Sequence, residues 1–130
     1  MLDASVLLAA QDEEDSHNRD ARRLLRSRRP LATLDLAAYE VANVAETRWH
    51  DPAASARLQE RFWLIATYGR LVRVDRELLD AAARLARSHS LSACDAAYVA
   101  AAQRLGAPLA SCDERDLVGQ GLAALPGDIA

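Results

Sequence analysis

Residues 91–117 read LSACDAAYVAAAQRLGAPLASCDERDL, and this stretch decides the fold. Ser92 or Ala93 opens an alanine-rich helix that runs to Gly106, a residue suited to the left-handed conformation that closes helices. Residues 108–111 are a short apolar run of strand length. Asp113 follows and is a good N-cap for a short helix. The order is therefore helix, strand, acid, helix, with a second acid, Asp95, in the first turn of the leading helix.

The same alternation extends outward. Residues 1–5 read as a strand end entering a turn. A short helix at 5–10 follows, for which Ser5 is a candidate cap. QDEEDSHNRD, residues 11–20, is a loop or helix entrance. A helix over 16–29 carries Ala21, Leu24 and Leu25 on one face and stops at Pro30. Residues 30–34 form a strand, and Asp35 caps a helix over 36–50. Asp51-Pro52 restarts a helix in which Leu58, Phe62 and Ile65 keep helical spacing until Gly69. A strand at 71–74, a helix at 76–89 and a last strand at 122–125 complete the pattern. Strands alternating with helices predict an α/β chain: an α/β/α sandwich with a central parallel sheet of about five short strands, as one domain over residues 1–130.

Four carboxylates stand at the edges of the apolar segments: Asp3, Glu40, Asp95 and Asp113. In open parallel sheets ligands collect at the carboxyl ends of strands, and these four are expected to converge there. Two unit charges about 5 Å apart repel by roughly 3 kcal/mol at an effective dielectric near 20. Such a cluster calls for a cation, a proton or separation. Hard oxygen donors with open water positions suit Mg²⁺ or Mn²⁺, so the expected chemistry is metal-dependent and directed at phosphate.

Composition narrows the alternatives. The net charge of −3 looks wrong for a nucleic-acid partner, yet the four acids carry more than that, and the remainder of the chain is slightly basic. All 16 basic residues are Arg. The absence of Lys excludes a P-loop and Schiff-base catalysis, and also speaks against receiver domains and haloacid-dehalogenase-type phosphatases. Cys94 and Cys112 lack metal-type spacing and read as small buried residues. No stretch is apolar for long enough to cross a membrane, and no signal peptide is visible, so a cytoplasmic protein is expected. His17, His50 and His89 share no spacing for metal or base work and read as surface residues. The arginines of 19–29 read as a solvated helix face.

With these residues in view, the chain resembles the PIN domain, and within it the VapC-like toxins of toxin–antitoxin pairs. The resemblance rests on the opening DASVLLA, the mid-chain YEVAN, and the order DAAYVAAAQRLGAPLASCDERDL, and it covers nearly the whole sequence. It implies a parallel sheet sandwiched by helices and a Mg²⁺/Mn²⁺-dependent endoribonuclease. Asp3, Glu40, Asp95 and Asp113 fall on the family's acidic, metal-holding positions. Ser5, Ser111 and Asn43 fall on supporting polar positions, and Asp116 stands near enough to Asp113 to substitute for it. Two departures are visible: only Met1 and Leu2 precede Asp3, and Cys112 stands where Ala is more usual. The resemblance further implies an RNA substrate, a VapB-like antitoxin partner and a homodimer, with the region of Phe62, Trp63 and Tyr68 as the apolar contact. Water attack would leave a 5′-phosphate and a 3′-hydroxyl, since a ribonuclease using the 2′-hydroxyl would want a His or Lys pair that the chain lacks. The rival readings are a PIN nuclease of RNA processing without an antitoxin and a catalytically silent PIN-like binding module.

Overall fold

Leu2 sits at the centre of a run of parallel pairings, and the rest of the fold is arranged around it. The computed structural model describes residues 1–129. Its elements are α1 (Ala4–Gln11), α2 (Asn18–Leu25), β1 (Ala32–Leu34), α3 (Leu36–Asn43), α4 (Pro52–Tyr68), β2 (Arg70–Val72), α5 (Arg76–His89), α6 (Ala93–Leu105) and α7 (Pro126–Ile129). Single π-helical turns at Val44–Arg48 and Glu114–Val118 follow α3 and precede α7.

β1 and β2 pair in parallel, with Ala32, Thr33 and Leu34 opposite Arg70, Leu71 and Val72. Leu2 bridges Thr33 on one side and Ala110 on the other, and Ala110 bridges Ala124, all parallel. Five segments thus line up in the order β2, β1, Leu2, Ala110, Ala124. The expectation of about five strands is corrected: among the described residues only β1 and β2 are regular strands, and the other three segments each contribute one-residue bridges. The cause is local. Asp3 already caps α1 immediately after Leu2, and Pro108 has no N–H with which to lengthen the Ala110 pairing.

The helix bounds shift as well. α2 ends at Leu25, short of the predicted residue 29. The helix predicted over 36–50 becomes α3 plus a π-helical turn, in which Trp49 N–H bonds to the Val44 carbonyl at 3.0 Å. His50 follows in the left-handed region, at φ 51°. Asp35 is not a side-chain cap. Its Oδ2 instead accepts from Val74 N–H at 3.1 Å, tying the exit of β2 to the start of α3.

Val6, Leu7, Leu24, Leu34, Val41, Leu58, Leu78, Val99 and Leu117 fill the core, each contributing about 1.5–3 kcal/mol by burial. α1 packs on α2, α3 and α4, while α5 and α6 pack as a pair. Phe62 is buried edge-on against Trp63, with ring centroids 5.1 Å apart. It therefore cannot serve as surface contact area, which falls to Trp63 and Tyr68, 58% and 84% exposed.

Gly69 joins α4 to β2 at a close approach. A Cβ there would lie 2.2 Å from the Leu31 carbonyl oxygen and 2.8 Å from that of Ile65. Both are backbone atoms and cannot swing aside. Gly69→Ala should therefore lower the unfolding free energy by about 2–3 kcal/mol, read from urea denaturation midpoints at unchanged slope.

Candidate active site

Asp3 leaves the Leu2 bridge with an extended backbone and becomes the N-cap of α1, its Oδ1 accepting from Val6 N–H at 3.3 Å. Ser5, a candidate cap and also an expected supporting residue of the site, has the second of these parts. Its Oγ donates to Asp3 Oδ1 and accepts from Cys112 N–H, the latter at 2.8 Å. Ser111, fully buried, accepts from Asp113 N–H at 3.0 Å and places its Oγ 3.5 Å from that of Ser5. The two hydroxyls thus stitch the start of α1 to the loop after Ala110. Asp3 is only 5% exposed. Burial pushes its carboxyl up to about 6, against the opposing effect of hydrogen bonds from Ser111 and Ser5.

Glu40 projects from α3 and Asp95 from the first turn of α6. Ser92 caps α6, its Oγ accepting from Asp95 N–H at 3.0 Å. Burial raises the carboxyl groups of both Glu40 and Asp95. Asp95 repels Glu40, and Asp113 and Asp116 repel Asp95, which raises each further. Tyr98 O–H donates to Glu40 Oε2. Asp113 caps the second π-helical turn, accepting from Asp116 N–H at 2.9 Å.

One cleft of about 290 Å³ is lined by Asp3, Ala4, Ser5, Leu8, Glu40, Asn43, Val44, Asp95, Tyr98 and Asp113. All four predicted acids, with Ser5 and Asn43, meet there. Ser111 lies behind the wall as a hydrogen-bonding support. Asp116 does not line the cleft and acts on it through its charge and its backbone N–H. Sequence reasoning missed Tyr98; the signal was its spacing three residues after Asp95, one turn along the same helix face. His17, read as a surface residue, is half-buried and lies 2.9 Å from Glu114 Oε1. A larger hollow, about 600 Å³, lies elsewhere, between the end of α2 and the second half of α4. Its lining is apolar and Arg-rich with no acid, and it sits where the chain enters β1 and β2 rather than where it leaves the sheet.

The polar groups of the cleft are four carboxylates, two hydroxyls and the Asn43 amide, a donor set whose oxygens are of the type that suits a hard divalent cation. Among the described residues no three carboxylate, imidazole or thiol groups are close enough to form a ready-made chelate.

The sequence profile of the PIN domain matches residues 1–118. The chain belongs to the PIN domain family. It is 34% identical over 120 residues to Ribonuclease VapC3 of Pyrobaculum aerophilum, covering 88% of this chain and 89% of that protein. In fold this PIN domain is similar to the Mycobacterium tuberculosis toxin VapC20, described as cleaving the sarcin-ricin loop, with TM-score 0.73 and 18% identity over 91% of this chain and 92% of that one. It is likewise similar to a chain of a toxin–antitoxin complex from Klebsiella pneumoniae, with TM-score 0.71 and 18% identity over 96% and 95%. No helix of the described residues is long and apolar enough to cross a membrane.

Asp3 gives this PIN domain a specific pH dependence. Its folded value, about 6, lies above the ordinary aspartate value of 3.8. Between those values the native state holds a proton that the unfolded chain has released. Stability therefore falls as pH rises through this window, and the loss is complete above it. Asp3→Asn keeps an N-cap oxygen and removes the buried charge. It should raise the metal-free unfolding free energy near neutral pH by about 1–3 kcal/mol, with little effect near pH 4, as read by denaturation across that range.

Proposed function

We propose that this PIN domain is a Mg²⁺- or Mn²⁺-dependent endoribonuclease, the toxin of a VapBC-type toxin–antitoxin pair. The observation that carries the reading is the single cleft shared by Asp3, Glu40, Asp95 and Asp113, in a chain 34% identical to a VapC ribonuclease. The toxin–antitoxin complex among its structural neighbours supports a VapB-like antitoxin as partner.

Asp3, Glu40 and Asp95 would hold the ion directly or through waters, and Asp113 would complete the pocket. When bound, the ion supplies a Lewis acid for phosphate and lowers the pKa of a neighbouring water. The chain's own part is to fix oxygens. Ser5 and the start of α1 orient Asp3, Ser111 orients the loop bearing Asp113, and the Ser92 cap sets the first turn of α6 that bears Asp95. Asp113, whose Oδ1 already accepts from Asp116 N–H, would orient an attacking water in line with the leaving oxygen through its remaining oxygen. The chain has no Lys, and none of its three His lines the cleft, so a route through the 2′-hydroxyl has no acid–base pair there. Trp63 and Tyr68 offer exposed aromatic area for a second copy.

Purified chain should cleave RNA in Mg²⁺ or Mn²⁺, leaving 5′-phosphate and 3′-hydroxyl ends, and fall silent in excess chelator. Asp95→Asn, which keeps shape and loses charge, should reduce cleavage by about a hundredfold or more. Sequencing of RNA 5′ ends reads both; undiminished cleavage by the variant or in chelator would refute the reading.

A further inference from the structure

Tyr98 is 2% exposed, yet it forms part of the lining of the acidic cleft. It stands three residues after Asp95 on α6, so the two side chains share a helix face. Its O–H donates to Oε2 of Glu40, which arrives from α3, 58 residues earlier in the chain. A ring needed only for packing could be Phe. A buried phenol is stabilising where its hydroxyl finds a partner, and here the partner is one of the four acids.

Glu40 needs such a partner. Its side chain has three rotatable bonds, it is half-buried, and Asp95 repels it. Left to itself a long carboxylate beside a like charge turns toward water. The phenol ring is locked in the core and cannot follow it. A charge-assisted hydrogen bond from a fixed donor therefore sets where Glu40 rests. It engages Oε2 and leaves Oε1 for other ligands.

We propose that Tyr98 is a positioning residue: its hydroxyl holds Glu40 in the cleft against repulsion from Asp95, so that this carboxylate is in place before a divalent cation binds. The inference rests on the metal-dependent reading given under Proposed function. It makes α6 a bifunctional element, supplying one acid directly and fixing a second through Tyr98.

The test is calorimetric titration of MnCl₂ into the full chain, wild type beside Tyr98→Phe, with thermal melts in metal-free buffer. The variant keeps the ring and should melt about 3–5 °C below wild type for the loss of one hydrogen bond, while its Mn²⁺ dissociation constant rises about tenfold. In a Glu40→Ala background, the same Tyr98→Phe change should leave the remaining Mn²⁺ affinity unaltered. An unchanged constant in the single variant, a further tenfold loss in the Glu40→Ala background, or a weakened constant accompanied by a melting drop beyond about 5 °C would each overturn the positioning role. Absence of any Mn²⁺ binding by the wild-type chain would instead overturn the metal reading beneath it.

Discussion

The pairing of Leu2 with both Thr33 and Ala110 is the joint on which the site depends. Leu2 N–H bonds to the Ala32 carbonyl at 2.8 Å, Thr33 Oγ1 donates to the Leu2 carbonyl at 3.1 Å, and Asp3 N–H bonds to the Ala110 carbonyl at 3.1 Å. Numbered along the chain, the five segments run 3-2-1-4-5. The order reverses between the first and fourth, and it is beside such reversals that open parallel sheets bind ligands. Asp3 leaves the first segment and Asp113 follows the fourth. The helices α3 and α6 then deliver Glu40 and Asp95 to the same end.

This arrangement forces together groups that repel one another. Asp95 repels Glu40, and Asp113 and Asp116 repel Asp95. The structure answers with hydrogen bonds rather than with opposing charge. Ser5, Ser111, Tyr98 and backbone N–H groups meet the carboxylates. Arginine stays away from the lining of the cleft, although the chain has 16 of them. Several gather instead at the other end of the sheet, where Arg22 and Arg26 crowd Arg61. A site lined by acids and neutral donors, with no Arg beside it, is the feature on which the proposed cation binding rests.

Much of this was legible in the sequence because its signals are local. Asp51-Pro52, Asp75, Ser92, Gly106 and Asp113 punctuate the chain, and the helices begin and end near them. The four acids were legible through their positions beside apolar runs. What was not legible depends on tertiary pairing. The strands at residues 1–5, 108–111 and 122–125 shrink to single bridges, because caps and Pro108 interrupt them and no periodic pattern records that. Asp35 looked like a cap and instead reaches across to Val74. Ser5 was open between a cap and a supporting role, and only the pairing with Cys112 decides for the second. Tyr98 carried no separate reading in the sequence; it is buried, and its hydroxyl belongs to the site.

Shared containment of four like charges is therefore the claim on which the functional reading turns, and it has a thermodynamic signature independent of any substrate. A ligand that binds only the native state raises the melting temperature as its concentration grows. Melting of the chain near neutral pH, with MnCl₂ varied at constant ionic strength, should show a rise that follows the logarithm of Mn²⁺ concentration and reaches roughly 8 °C at a hundredfold excess over the dissociation constant. A melting temperature that stays flat into the millimolar range would mean that these carboxylates do not need a cation, and would contradict the account.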